Sequence, residues 1–118
     1  MESILTSVKE AISISEDCDA FDKIIIMHIN TVFSILKRMG VGPAKGFSIR
    51  DEESTWDEFI DDSDSTLESV KSYMALKVQM LFDPPTSGTY MEAIKENIKE
   101  LEWSLNFEAD AIGYSEGV

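Results

Sequence analysis

The fold is decided by one stretch of sequence. It runs Ser65-Thr-Leu-Glu-Ser-Val-Lys-Ser-Tyr-Met-Ala-Leu-Lys-Val-Gln-Met-Leu-Phe82, then Asp83-Pro-Pro-Thr-Ser-Gly88, then Thr89-Tyr-Met-Glu-Ala-Ile-Lys-Glu-Asn-Ile-Lys-Glu-Leu-Glu-Trp-Ser-Leu-Asn106. It reads as helix, sharp turn, helix. Leu67, Val70, Met74, Val78 and Leu81 recur every three or four residues, as do Met91, Ile94, Ile98, Leu101 and Leu105. Each set lies on one face of an α-helix. Ser65 with Glu68, and Thr89 with Glu92, have the spacing of a capping box, in which hydroxyl and carboxylate each satisfy a free backbone N–H. Pro84 and Pro85 lack N–H groups, so no helix crosses them, and Pro84 pushes Asp83 out of the α region. So short a link predicts an antiparallel αα-hairpin, with Asp83, Pro84 and Pro85 as its turn.

Upstream, Ile4, Leu5, Val8, Ala11 and Ile12 predict a short helix ending near Ile14. A second helix is expected from about Asp19 to Met39. Gly40 terminates it, and Lys37 and Arg38 sit at the negative end of its dipole. Ile25, Ile29, Val32, Leu36 and Met39 make one stripe of this helix. Ile26 and Phe33 lie on another face, and Phe21, Ile24, His28 and Ile35 widen the coverage. Such a helix is either central in a bundle or turns one face to another subunit. Val41 to Arg50 reads as a loop, with Phe47-Ser-Ile49 as an extended anchor. A helical turn at Thr55–Ile60 would aim Trp56, Phe59 and Ile60 at the core. The expectation is an all-α bundle of four to five helices centred on the hairpin, spanning residues 1–106. Beyond Asn106 the periodicity stops, which predicts an acidic, flexible arm over 107–118.

Composition narrows the function. The chain has 118 residues and a formal net charge of −13, from 23 Asp and Glu against 10 Lys and Arg. Clustered cations for gripping phosphates are missing, which argues against sequence-specific nucleic-acid binding. A lone cysteine, Cys18, excludes an internal disulfide framework. Ile24–Leu36 is too short to span a bilayer and is interrupted by His28 and Asn30, and Met1-Glu-Ser lacks the positive start of a signal peptide.

Catalytic chemistry finds little support. His28 lacks the company that metal binding or acid–base work requires. Cys18 lies in an acidic loop that blunts its nucleophilicity. The run Asp57–Asp64 lacks the glycine and the terminal glutamate of a calcium loop. No phosphate-binding glycine loop is present. Neither enzymatic activity nor a cofactor is expected. Trp103 lies off the hairpin stripe, on a side shared with Glu96, Glu100 and Phe107. It serves either a second core face or, as tryptophan often does, a subunit contact.

Tyr73-Met-Ala-Leu-Lys-Val-Gln-Met-Leu-Phe-Asp-Pro-Pro-Thr-Ser87, followed by Ile98-Lys-Glu-Leu-Glu-Trp-Ser-Leu-Asn106, resembles the small head–tail connector, or adaptor, proteins of long-tailed bacteriophages and prophages. The Leu-Phe-Asp-Pro-Pro turn and Glu-Leu-Glu-Trp are the most specific parts. Ala20-Phe-Asp, Ile26-Met-His-Ile-Asn-Thr-Val-Phe33, Gly42-Pro43 and Gly46-Phe-Ser-Ile49 extend the likeness over about residues 3–106. The resemblance implies a structural protein of the virion neck, made in the host cytoplasm. It would form a ring, dodecameric in the virion, under the portal protein, and carry the next neck or head-completion protein. It also implies that residues 107–118 dock on the portal. Ile26, Phe33, Trp103, Phe107 and Tyr114 are the residues expected at assembly contacts. Asp61, Asp62 and Asp64 are expected to face the DNA channel and repel phosphate. The competing expectation is a monomeric or dimeric acidic regulatory module, such as a DNA mimic.

Overall fold

The computed structural model of the chain describes residues 2–60 and 66–116, with side chains as far as Phe107. Among the described residues there are five helices and no named strand: α1 (Ile4–Ala11), α2 (Asp22–Arg38), α3 (Trp56–Phe59), α4 (Thr66–Phe82) and α5 (Gly88–Glu116). The protein is all-α and built on the α4–α5 hairpin. α4 is the hub, with α1, α2 and α5 packed around it.

Local chemistry explains most helix ends. Ser3 caps α1, its hydroxyl accepting from the Thr6 amide at 3.3 Å. α1 stops at Ala11, earlier than Ile14, because Ser13 turns left-handed (φ 66°). The Ser13 and Ile14 amides then fold back onto the Glu10 and Lys9 carbonyls. α2 ends the same way, as expected, on Gly40 (φ 85°). The Gly40 amide reaches the Lys37 carbonyl, the Val41 amide reaches that of Leu36, and buried Val41 and Leu36 supply the apolar contact that accompanies this closure. α2 opens at Asp22 and not Asp19, whose carbonyl accepts from the Asp22 amide in a preceding turn.

The hairpin turn lies at Asp83–Ser87. α5 is capped by Ser87 and not by the expected Thr89, since the Tyr90 amide donates to Ser87 Oγ at 3.3 Å. Ser87 is as good a cap and sits closer to the prolines. Ser65 lies outside the described residues. At the far end, α5 passes Asn106 without a break and continues to Glu116.

The core joins Leu67, Val70, Met74 and Val78 of α4 to Ile94, Ile98 and Leu105 of α5 and to Ile25, Ile29, Val32 and Leu36 of α2. Leu81, on the α4 stripe, is 47% exposed. Its neighbour Phe82 meets Phe21, the residue before α2, edge to face at 5.5 Å. The last turn of α4 therefore lies at the very start of α2, where no helix covers Leu81.

The long connection 39–55 is held from both ends. Asn30 of α2 donates its side-chain amide to the Ile49 carbonyl at 3.0 Å and accepts the Ile49 amide at 2.8 Å. Ser3 and Thr55 form an isolated antiparallel bridge, with the Ile4 amide on the Ser54 carbonyl. α3 then delivers Trp56 and Phe59 into the core, as their spacing predicts. Trp56 Nε1 donates to Ser7 Oγ at 2.8 Å, so the indole is buried with its one donor satisfied.

Candidate functional site

Clefts give little purchase for chemistry. The groove between α4 and α5 has a volume of about 530 Å³ and is open to solvent, with walls from Ser72, Leu76, Asn97, Glu100, Leu101 and Ser104. Glu100 is the only one of these groups that ionises, so no acid–base pair converges there. His28 is half-buried on α2, and Thr31, one turn on, spends its hydroxyl on the Met27 carbonyl at 3.0 Å. Cys18 is half-buried, and its amide donates to the Ser15 carbonyl. Among the described residues no group of three His, Cys, Asp or Glu side chains is placed to hold a metal ion. No helix of the described residues is long and apolar enough to cross a membrane.

The outer surface is more informative. Ile94, Ile98 and Leu105 commit one side of α5 to the core, which leaves Trp103 and Phe107 on the opposite side. Trp103 is 69% exposed and Phe107 62%. Their rings stack with centroids 5.5 Å apart and planes 14° from parallel. Four residues along a helix is the spacing at which such rings can meet. Of the two roles the sequence allowed Trp103, the second core face is excluded. Glu96 and Glu100 flank the pair, and Lys99 lies 3.9 Å from Glu96.

The expected α2 contact residues fall elsewhere. Phe33 is 1% exposed and stands at the centre of an aromatic cluster, 4.7 Å from Phe59, 5.1 Å from Phe47 and 6.3 Å from Trp56 between ring centroids. It is a core residue and has no surface to offer a neighbour. Ile26 is half-buried against the same core. The apolar side chains that α2 does expose are Ile24 and Met27, next to Phe21. Periodicity showed that α2 had too many apolar faces. Which of them the 47–59 segment would cover depends on contacts between residues far apart in sequence. Asp61, Asp62 and Asp64 lie outside the described residues, and Tyr114 outside the described side chains.

Two polar arrangements escaped the sequence reading. Lys9 is buried on α1, its ammonium 2.8 Å from Asp22 Oδ1 and 3.2 Å from the Glu16 carbonyl. Tyr73 is fully buried on α4, with its hydroxyl on Glu102 of α5. Both tie helices together, which marks them as structural.

In a comparison with protein families, the family described as phage connector protein matches residues 4–111. The match begins at the first residue of α1 and runs through the exposed aromatic pair. No curated protein and no solved structure matches the chain.

Proposed function

We propose that this chain, which belongs to the phage connector protein family, acts in the virion neck as a ring of copies beneath the portal protein. The ring extends the channel for DNA and provides the platform for the next neck or head-completion protein. The observation that carries this reading is the extent of the family match, which runs from residue 4 to 111, through α1 to α4 and most of α5. The exposed Trp103–Phe107 pair supports it, because stacked aromatics on the outside of a small helical domain are suited to burial against another protein.

The charge of −13 suits a conduit for nucleic acid. A wall rich in carboxylates repels DNA phosphates, so DNA passes without adhering. Asp61, Asp62 and Asp64 are the side chains assigned to that wall. Changing all three to Lys should slow DNA passage or cause retention, whereas unchanged infectivity of correctly assembled particles would remove them from it.

The reading is tested by light scattering on a sizing column, first with the protein alone and then mixed with its cognate portal protein. A ring-sized species or a stable portal complex supports the connector. A monomer or dimer that ignores the portal overturns it and favours an acidic regulatory module.

A further inference from the structure

The charge of this protein is segregated along the chain. From Ile24 to Arg50 there is no Asp or Glu, and four of the ten cations occur there: Lys37, Arg38, Lys45 and Arg50. From Glu100 to Val118 there are five carboxylates and no Lys or Arg. Pairing sharpens the contrast. Every lysine of α1, α4 and α5 has a carboxylate within 4 Å: Lys9, Lys71, Lys77, Lys95 and Lys99. Lys37, Lys45 and Arg50 are exposed and make no ion pair with any described residue.

Two of these cations share a place in the fold. Lys37 and Lys45 line a polar groove of about 320 Å³, together with Ser34, Gly46 and Ser48, where α2 gives way to the loop. The stem of Lys37 lies over Gly46, which has no side chain to displace it. On α5, Glu100 sits one turn before Trp103 and, among the described residues, has no ion-pair partner. α5 and α2 each pack on α4, so the two surfaces are carried by different elements of the fold.

We infer that these surfaces are the two halves of one repeating contact between copies of this chain: Trp103, Phe107 and Glu100 of one copy seat on Lys37 and Lys45 of the next. The inference rests on the ring reading above and supplies its interface. Chemistry selects the occupant. If the aromatic face met its own image, Glu96 and Glu100 of two copies would be opposed in a molecule already at −13. Against the basic groove, the carboxylates gain partners and the aromatic faces gain ammonium groups in cation–π contact. A contact between unlike surfaces is also the kind that propagates around a ring, whereas a self-complementary one stops at a dimer.

The test uses two variants of the full chain, Trp103→Ala and the double change Lys37→Glu with Lys45→Glu. The three altered positions, Trp103, Lys37 and Lys45, are exposed, so the fold is not at stake. Self-association is followed by sedimentation velocity, with and without the cognate portal. Each variant alone should associate more weakly by about tenfold or more. Mixed in equal amounts, they should form a one-to-one dimer that grows no further, because each retains the surface the other lacks. Carbodiimide coupling of the wild-type assembly should join Lys37 or Lys45 of one copy to Glu100 of another. A mixture that associates no better than its components overturns the inference, as does a wild-type chain that never self-associates, with or without portal. If Trp103→Ala leaves self-association intact but abolishes portal binding, the portal occupies that face. The inference then falls while the connector reading stands.

Discussion

Tyr73 and Glu102 pin the hairpin across its interface: Tyr73 Oη donates to Glu102 Oε2 at 2.7 Å, from α4 to α5. Tyr73 is fully buried, and Lys77 Nζ lies 3.8 Å from the same carboxylate oxygen and 5.9 Å from the centroid of the tyrosine ring. Burial, reinforced by the hydrogen bond to Glu102 and its negative charge, pushes the phenol pKa well up. Arg38 opposes that rise. The seam thus contains a polar link from Tyr73 to Glu102 whose geometry is satisfied only in one register of the two helices.

Tyr73→Phe keeps the ring and removes the link. Glu102 is partly exposed and can turn to water, so the expected loss is about 1 kcal/mol in urea unfolding. Tyr73→Ala removes the largest fully buried side chain and should cost about 3–5 kcal/mol. Equal losses for both would show that the hydroxyl, not the packing, carries the stability.

The same residue predicts a pH dependence. Folded Tyr73 holds its proton more tightly than the unfolded chain does. Its contribution is intact below the ordinary tyrosine pKa of about 10 and declines as pH rises beyond it, because only the unfolded state then releases the proton. Wild type should lose stability faster than Tyr73→Phe above about pH 10. Parallel curves would place the alkaline sensitivity elsewhere.

Asn30 holds the 39–55 connection through both backbone groups of Ile49. Asn30→Ala leaves those groups without their partner and should cost about 1–3 kcal/mol. Asn30→Asp should fare no better, because a carboxylate cannot donate to the Ile49 carbonyl. Amide exchange at Ile49 is the direct readout, and unchanged protection in Asn30→Ala would mean the loop is held by its apolar anchors alone.

Lys9 and Asp22 form an ion pair with side chains 4% and 26% exposed. Removing the cation alone leaves Asp22 facing the interior. Lys9→Ala should therefore destabilise by about 2–3 kcal/mol, below the range for fully buried pairs because Asp22 keeps some water. Lys9→Met with Asp22→Leu should recover most of the loss. A double-mutant cycle measures the coupling, and strict additivity would refute it.

Gly42 has φ 90°, and a β-carbon there would run into the Phe59 ring. Gly42→Ala combines a disfavoured backbone with displacement of a buried aromatic and should cost about 2–3 kcal/mol. Thermal unfolding of Gly42→Ala alongside the solvent-facing Gly88→Ala, which meets neither obstacle, checks this. Gly88 lies in the first turn of α5 with no atom near its would-be β-carbon, so only the former should fall sharply.

Features that depend on neighbours along the chain are legible in the sequence. The break at Pro84-Pro85, the Gly40 terminator, the buried faces of α4 and α5 and the inward turn of Trp56 and Phe59 all rest on local geometry and on periodicity. The resemblance carried by Leu81-Phe-Asp-Pro-Pro85 and Glu100-Leu-Glu-Trp103 pointed to the connector family. Where two local solutions were equally good, as with Ser87 and Thr89 at the start of α5, the spacing alone chose the wrong one.

What tertiary structure decided is which apolar and polar side chains would find partners. Phe33 became core because Phe47, Trp56 and Phe59 converge on it from a segment that has little periodicity of its own. Leu81 stayed exposed while its neighbour Phe82 was taken up by Phe21 at the start of α2. Lys9, Asn30 and Tyr73 carry no signal in the local pattern, and only the fold brings Asp22, Ile49 and Glu102 against them. By itself the sequence determined an all-α chain of four to five helical segments and the family. Only the fold separated the aromatic pair left outside from the aromatics taken in, because burial depends on contacts between distant residues that no local pattern encodes.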